Sequence, residues 1–484
     1  MRVLGGPRAP GGPGGQRRPG RPGRTGRRPA TREPTGDPPN PTFARATAAA
    51  AAVVVLAGML GTLWLLGWGR VGFEVPSVPW YFSFPFYVFP HPQLALGWAA
   101  AAVPVVAAAT AAVLVLDQAR IAWPWRVAGS AGLAAVLALA VAALAGGPPA
   151  WTAPFDYAGE YPAGAGRVGA IPTFLREFPA LLPDLPSHAA GHPAGAMVVY
   201  ALVARSWPGL MAAALATVVL GSLGALAAGG LVRDELGERG GRLALAVWVL
   251  APGVVLYLAT SADAVFAAVL GGAALAAHRG LVRRSAGWTV AGGVLLWVSS
   301  MLTYAAVLLL VFLGVRAAGW LRADRAWVLR WAAATSAVVG ALAGVLWLVA
   351  GYDVPAAVLA AHGAYQAAPG SAGRSLVPWL PGDLLAFGGM LGVPLLAALA
   401  ARTVAVVREH AWTSVDAAAL ATLLAAASWG FTKGEVERIF QFLVPLMLVP
   451  VVRQLLAWRV RAPVVAGLLV GQTLLVQLLF ATRW

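Results

Sequence analysis

Two carboxylates in the segment Phe-Asp-Tyr-Ala-Gly-Glu-Tyr are the first candidates for chemistry. Asp156 and Glu160 lie four residues apart, so on a helix they would share one face. Burial or like-charge pairing raises the pKa of one such carboxyl group, which suits it to act as a general base. A solvated turn with tyrosine anchors at a membrane surface is the alternative. The spacing therefore offers Asp156 or Glu160 as a base, with Tyr161 beside it.

Two histidines follow in the same stretch, His188 and His192. Their spacing can chelate a metal on a helix, but His-Ala-Ala-Gly-His lacks the glutamate of a zinc-protease motif. Polar contacts at a helix start are the alternative, so we assign both histidines a supporting role. The chain has no cysteine, which excludes disulfides, thiolate catalysis and cysteine-bound metals. No cofactor is required by the sequence, and a divalent cation remains an option.

A second cluster of charges lies near the C-terminus, in Phe-Thr-Lys-Gly-Glu-Val-Glu-Arg. Lys433 is the only lysine in the chain, and Arg438 opens a predicted helix. A guanidinium group at a helix start suits a phosphate, and Glu435 or Glu437 can orient the two cations. Asp263, near the start of another predicted helix, either belongs to the cap of that helix or joins the site.

The candidate residues must be held in place by the long apolar segments that make up most of the chain. Of the 484 residues, 59% are hydrophobic and 11% charged, with a mean hydropathy of +0.74, whereas soluble proteins have about 25% charged residues. A helix needs about 20 apolar residues to cross a bilayer. We therefore predict an all-α polytopic membrane bundle of about 13 transmembrane helices. The predicted spans are 46–68, 93–116, 127–146, 208–230, 243–259, 262–278, 286–301, 303–319, 331–350, 384–403, 414–431, 439–457 and 463–481.

The distribution of positive charge predicts the orientation of these spans. With the N-terminus inside, the inner segments hold 27 of the 35 Lys and Arg residues, as the positive-inside rule requires. We therefore predict a plasma-membrane protein with a cytosolic N-terminus and an outer C-terminus. Its longest outer loops are 69–92, 147–207 and 351–383, of which 147–207 is the main catalytic loop. Within it, 171–182 and 192–206 are predicted as interfacial amphipathic helices.

Residues 1–45 form a separate segment that contains 10 Arg, 10 Gly and 10 Pro. This composition cannot bury a core, so we predict a disordered cytosolic tail that contacts anionic membrane lipids. Residues 46–484 form the transmembrane domain. The net charge of +16 would suggest nucleic acid in a soluble chain, but here the charges alternate with apolar spans, and no nucleic-acid partner is predicted.

The order of these features resembles the GT-C superfamily of polyprenyl-phosphate-sugar-dependent glycosyltransferases. The nearest likeness is to the protein O-mannosyltransferase and aminoarabinose-transferase-like group, and specifically to its actinobacterial multi-span members. The likeness covers about residues 127–460. Residues 155–161 are similar to the family's acidic motif, 192–195 to its His-Pro-Pro segment, 261–264 to its Arg-Pro-Asp-type motif and 437–445 to its Arg-Tyr-x-x-Pro-like segment.

The sequence departs from the family pattern at three of these motif positions. Gly159 stands where the family has an aspartate before Glu160, and Ala194 and Ile439 replace a proline and a tyrosine. Two further spans precede the one at 127–146. Asp156 and Glu160 therefore both stay open as the base.

The resemblance implies a glycosyltransferase that moves a sugar from a polyprenyl-phosphate donor to a cell-envelope acceptor on the outer face, with inversion. Asp156 or Glu160 takes the proton of the acceptor hydroxyl, while Arg438 and Lys433 stabilise the leaving phosphate. A secondary transporter or lipid flippase is the alternative. That class places charged residues near the bilayer midplane, whereas the candidate site charges of this chain lie at the outer rim.

Overall fold

The structure, a computed structural model, describes residues 41–67, 89–90, 95–367, 376–410, 412–430, 432 and 434–481. Helices dominate this part of the chain, as the apolar runs predicted, and the all-α class is confirmed. Two strands of two residues each, β1 (Phe89–Pro90) and β2 (Phe480–Ala481), pair antiparallel. Nearly all of the predicted tail, most of loop 69–92 and Lys433 lie outside the described residues.

The helices are numbered in chain order. Before the long loop come α1 (Pro41–Gly67), α2 (Leu96–Gln118) and α3 (Trp123–Ala143). The loop holds α4 (Pro149–Thr152), α5 (Tyr161–Gly164), α6 (Ile171–Leu181), α7 (Ser187–Ala190) and α8 (Ala194–Ser206). The bundle continues with α9 (Leu210–Ser222), α10 (Gly224–Leu250), α11 (Pro252–Tyr257), α12 (Asp263–Arg283), α13 (Ala286–Leu302), α14 (Leu308–Leu321) and α15 (Arg325–Ala350). It ends with α16 (Val354–Ala367), α17 (Leu376–Leu391), α18 (Val393–Glu409), α19 (Ser414–Ser428), α20 (Val436–Ile439), α21 (Val444–Ala457) and α22 (Ala462–Leu479).

Nine helices in the described ranges are long and apolar enough to cross a membrane, or up to ten if the bent pair α18–α19 counts as one span. The predicted count of thirteen is not confirmed. Large apolar side chains remain exposed along several of these helices, which is typical of surfaces that face lipid. The chain thus has the character of a multi-pass membrane protein.

The segment Leu210–Leu250, one of the nine, reverses direction at Gly237, whose φ is 74°. A Cβ atom added to Gly229 would lie only 2.8 Å from the side chain of Leu245. These two residues are equally far from Gly237 in sequence, so the two arms of the segment run antiparallel and in close contact. Small residues permit such an approach between membrane helices. The reversal agrees with the two separate spans predicted here.

Two boundaries differ from the sequence prediction. The tail is predicted to extend to residue 45, but α1 begins at Pro41, because a proline fits the first turn of a helix. The predicted span 384–403 is broken at Gly392, which separates α17 from α18. The φ of Gly392 is 112°, a backbone conformation that glycine adopts far more readily than other residues.

Helix α12 joins two polar groups of residues. At its first residue, Asp263 accepts a hydrogen bond from Arg438, and near its last residue Arg279 donates to Asp234. Its 21 residues span about 30 Å at 1.5 Å per residue, so the two groups lie at opposite ends of the bundle. The buried side chains in between, over 264–277, are all apolar. The candidate site belongs to the end that contains Asp263.

Candidate functional site

A stack of two tyrosines holds the long loop against the bundle. Tyr161, the first residue of α5, stacks on Tyr200 of α8 with ring centroids 5.3 Å apart and an interplanar angle of 9°. The hydroxyl groups of Tyr200 and Thr217 of α9 are 2.7 Å apart. Phe266 of α12 meets Tyr161 edge-on at 6.0 Å. Since all four side chains are buried, the stack fixes the neighbouring Glu160 beside α9 and α12.

The two carboxylates predicted to share a helix face lie in different elements. Asp156 ends a 3-10 turn in which Pro154 is near the start, and Glu160 immediately precedes α5, in which Pro162 is near the start. A proline fits only the first turn of a helix, so these two prolines begin two separate short helices. Asp156 is exposed, whereas Glu160 is only 4% exposed. Of the two, Glu160 alone is placed in the interior.

One oxygen of the Glu160 carboxylate accepts a hydrogen bond, and the other has no partner among the described residues. Nδ1 of His188 lies 2.7 Å from Oε1 of Glu160, and because an ionised carboxylate only accepts, Nδ1 is the donor. Oε2 is buried and has no hydrogen-bond partner among the residues that the structure describes. A buried acceptor without a hydrogen bond raises the free energy of the folded state. Oε2 of Glu160 is therefore an acceptor that a ligand with a proton to donate could satisfy, and an oxygen of Glu437 on α20 is buried as well.

Gly159 lies in close contact with two side chains of the loop. A Cβ atom at this position would lie 2.4 Å from the ring of Tyr157 and 2.5 Å from Oγ of Ser187. A side chain at this position would therefore require Tyr157 and Ser187 to move. The backbone carbonyl of Gly159 accepts a hydrogen bond from the backbone N–H of His188, at 3.0 Å.

His192 is half-buried among aromatic rings, within electrostatic reach of Asp263. Its Nδ1 lies 2.9 Å from the backbone carbonyl of His188, so Nδ1 donates and Nε2 carries the lone pair in the neutral ring. The ring centroid is 5.2 Å from that of Phe266 and 5.8 Å from that of Tyr161. Burial lowers the pKa of His192 below its ordinary value of 6.5, which keeps the ring neutral at pH 7.

Both histidines use Nδ1 for a partner in the loop, so only Nε2 of each ring could bind a metal. His188 uses Nδ1 for Glu160, and His192 uses Nδ1 for a backbone carbonyl. Across the described part of the chain, no group of three His, Cys, Asp or Glu residues is arranged to hold a metal ion.

Arg438 is the buried cation of the site. Its Nη1 donates to Oδ2 of Asp263 at 2.5 Å, and its Nη2 donates to Glu435. Asp263 also accepts from the hydroxyl of Ser261 at 2.9 Å, which fixes the carboxylate at the start of α12. Glu160 lies within electrostatic reach of Arg438. The loop carboxylate and the C-terminal cation thus interact electrostatically, although they are 278 positions apart in sequence.

Around α20 the structure places residues that the sequence did not single out as well as ones that it did. Asp383 of α17 is fully buried and accepts from the backbone N–H of Gly434 at 3.2 Å. An acidic residue within an apolar span is the signal that could have identified it, whereas nothing in the sequence pointed to Tyr200. Glu437 is buried beside Arg438 on α20. Lys433 lies outside the described residues.

This arrangement can remove a proton and hold an anion at neighbouring positions. The buried Oε2 of Glu160 can accept a proton, and the guanidinium group of Arg438 can bind a phosphate oxygen. Both groups are nearly free of solvent, which strengthens their electrostatic effect. No protein-family model matches this chain, and no curated protein shows significant sequence similarity to it.

Proposed function

We propose that this protein is a membrane glycosyltransferase that moves a sugar from a polyprenyl phosphate to a hydroxyl group of a cell-envelope acceptor. One observation carries the proposal: the open, buried Oε2 of Glu160 lies in a site within electrostatic reach of the buried Arg438. Transfer from a lipid phosphate uses a base for the acceptor and a cation for the leaving group. The site lies at one end of an apolar bundle, where a lipid-linked donor can approach from the bilayer.

In the proposed reaction, Oε2 of Glu160 accepts the proton of the acceptor hydroxyl while the hydroxyl oxygen attacks the anomeric carbon. The bond between this carbon and the phosphate oxygen breaks, and its electron pair stays on the phosphate. Arg438 stabilises the developing negative charge, with Lys433 as the second proposed cation. Attack from the face opposite the phosphate inverts the anomeric configuration. The products are the glycoside, the polyprenyl phosphate and a protonated Glu160.

We propose that the donor phosphate replaces one of the two carboxylates that accept from Nη1 and Nη2 of Arg438. Asp263 is deeply buried and also bound by Ser261, whereas the side chain of Glu435 is 23% exposed. Glu435 also has a φ of 61°, which is uncommon for residues other than glycine, and it follows Gly434. We therefore assign Glu435 as the group that the phosphate displaces, while Asp263 keeps the guanidinium oriented.

The remaining side chains of the site stay uncharged in this scheme. Burial raises the pKa of Tyr161 well above its ordinary value and lowers that of His192, so both are neutral at pH 7. They border the space beside Glu160 and are proposed to support the bound sugar. Because the basic inner segments belong to the other end of α12, we propose that the site faces the outside of the plasma membrane and the N-terminus faces the cytosol.

The test is transfer from labelled donors. Membranes from cells with and without the protein are supplied with radiolabelled polyprenyl-phosphate mannose, glucose and arabinose, with Mg²⁺ or EDTA, and label in the acceptor fractions is counted. We expect protein-dependent transfer that Arg438→Ala abolishes and that Arg283→Ala, at the opposite end of the bundle, retains. Equal counts with and without the protein for every donor would contradict the proposal.

The same preparation separates the transferase from a secondary transporter or lipid flippase. In proteoliposomes, a flippase moves the labelled donor to the opposite leaflet without forming a new glycosidic bond. Protein-dependent movement of intact donor, together with no label in any acceptor, would favour that alternative. Formation of a new glycoside supports the transferase.

A further inference from the structure

We infer that His188 is a positioning residue that makes Oε2 of Glu160 the reactive oxygen, an inference that rests on the proposed function. A carboxylate offers two equivalent oxygens, and free rotation exchanges them. Here Oε1 accepts from Nδ1 of His188 at 2.7 Å, while Oε2 is buried with no hydrogen-bond partner in the described part of the chain. The hydrogen bond makes the two oxygens of Glu160 inequivalent and leaves the lone pairs of Oε2 for the proton of the acceptor.

His188 is itself held from several sides, which is what a positioning group needs. Its backbone N–H donates to the carbonyl of Gly159, and its own carbonyl accepts from His192. The ring of Tyr157 lies 6.0 Å from the imidazole ring, tilted by 59°. These contacts tie the imidazole to the same loop that carries Glu160, so the donor and the acceptor move together.

The side chain of His188 is 20% exposed, whereas that of Glu160 is 5% exposed. His188 therefore lies between the buried carboxylate and the solvent, on the side of Oε1. If this donor is lost, the carboxylate group can rotate, and Oε2 leaves the geometry required for proton transfer. A misplacement of about 1 Å can cost as much as about 100-fold in rate. Substrate affinity should not change, because His188 does not contact the substrates in this assignment.

The experiment compares two variants at this position in the donor-transfer assay, with polyprenyl-phosphate mannose, glucose or arabinose as the probe, whichever the wild type uses. His188→Leu removes the N–H donor, and we expect kcat to fall about 10-fold to 100-fold while both KM values stay unchanged. His188→Asn places an amide N–H at the position of Nδ1, and we expect kcat within about threefold of the wild type. His362→Leu, which removes an exposed histidine on α16, is the matched control. Thermal unfolding of each variant shows that it is folded.

Three results would overturn the inference, and they are distinguishable. A wild-type kcat in His188→Leu shows that Oε1 needs no donor. An equal loss in folded His188→Leu and folded His188→Asn shows that the N–H donor is not what matters. In both cases the wild type still transfers sugar, so the proposed function stands. Absence of transfer by the wild type itself overturns the proposed function and the role of His188 with it.

Discussion

Arg438 and Asp263 form a buried ion pair between residues that are 175 positions apart in sequence, with Nη1 and Oδ2 separated by 2.5 Å. Both side chains are under 10% exposed. The pair joins α20 to the first residue of α12 and holds the guanidinium group in a fixed orientation. A preorganised cation of this kind stabilises charge that develops during a reaction without having to reorient.

Removing one partner of this pair should lower the stability of the folded protein. Asp263→Ala leaves Arg438 without its main buried carboxylate, and we expect a loss of about 3–5 kcal/mol in the free energy of unfolding, along with loss of transfer. The control is Arg283→Ala, because Arg283 is 50% exposed in its pair with Asp234, and it should cost at most about 1 kcal/mol. Thermal unfolding in detergent measures both. Similar melting temperatures for the two variants would contradict the importance of the buried pair.

Because Glu435 accepts a hydrogen bond from Arg438, replacing Glu435 should strengthen binding of the donor. Glu435→Gln removes the negative charge that competes with the donor phosphate, so the KM for the donor should fall by about tenfold, equivalent to about 1.4 kcal/mol. Glu238→Gln is the matched control, since Glu238 pairs with Arg233 on the segment that leads to the other end of the bundle. A donor KM that rises or stays constant in Glu435→Gln would show that the phosphate does not displace this carboxylate.

The lowered pKa of His192 predicts how stability depends on pH. The unfolded chain begins to bind a proton at His192 as the pH falls through about 6.5, whereas the folded chain does so only at lower pH. The unfolded state is therefore favoured progressively as the pH decreases over this window. His192→Gln should reduce the drop in melting temperature between about pH 7.5 and pH 5.5, whereas His362→Gln should retain it. An unchanged drop in the melting temperature of His192→Gln would disprove the contribution of His192 to this pH dependence.

The tight packing at Gly159 can be tested with alanine. Gly159→Ala places a Cβ atom 2.4 Å from Tyr157, and we expect a loss of about 1–3 kcal/mol in stability and reduced transfer, because the loop before Glu160 must shift. Gly166→Ala in the same loop is the control, since no atom lies within 4 Å of the added Cβ. It should change stability by less than about 1 kcal/mol. Equal behaviour of the two alanine variants would show that the loop can relax around residue 159.

Apolar runs were sufficient to predict the helical membrane class, and amphipathic patterning predicted the two loop helices α6 and α8, because both signals depend on local sequence. The separation of Asp156 from Glu160 was not predicted, since the spacing suggested a helix and the positions of two prolines decided otherwise. The pairs Glu160–His188 and Arg438–Asp263 join distant residues. Such contacts depend on how the loop packs on α9 and α12, which spacing along the chain does not encode.

The sharpest test of the account compares the two carboxylates that the sequence left open. Glu160→Gln keeps the size of the buried side chain but removes its basicity, and Asp156→Asn makes the matching change at an exposed position four residues away. In membranes supplied with the labelled polyprenyl-phosphate sugar that the wild type uses, Glu160→Gln should lose transfer by at least about 100-fold, and Asp156→Asn should retain it. Retained transfer in Glu160→Gln, or its loss in Asp156→Asn alone, would contradict the assignment of Glu160 as the base.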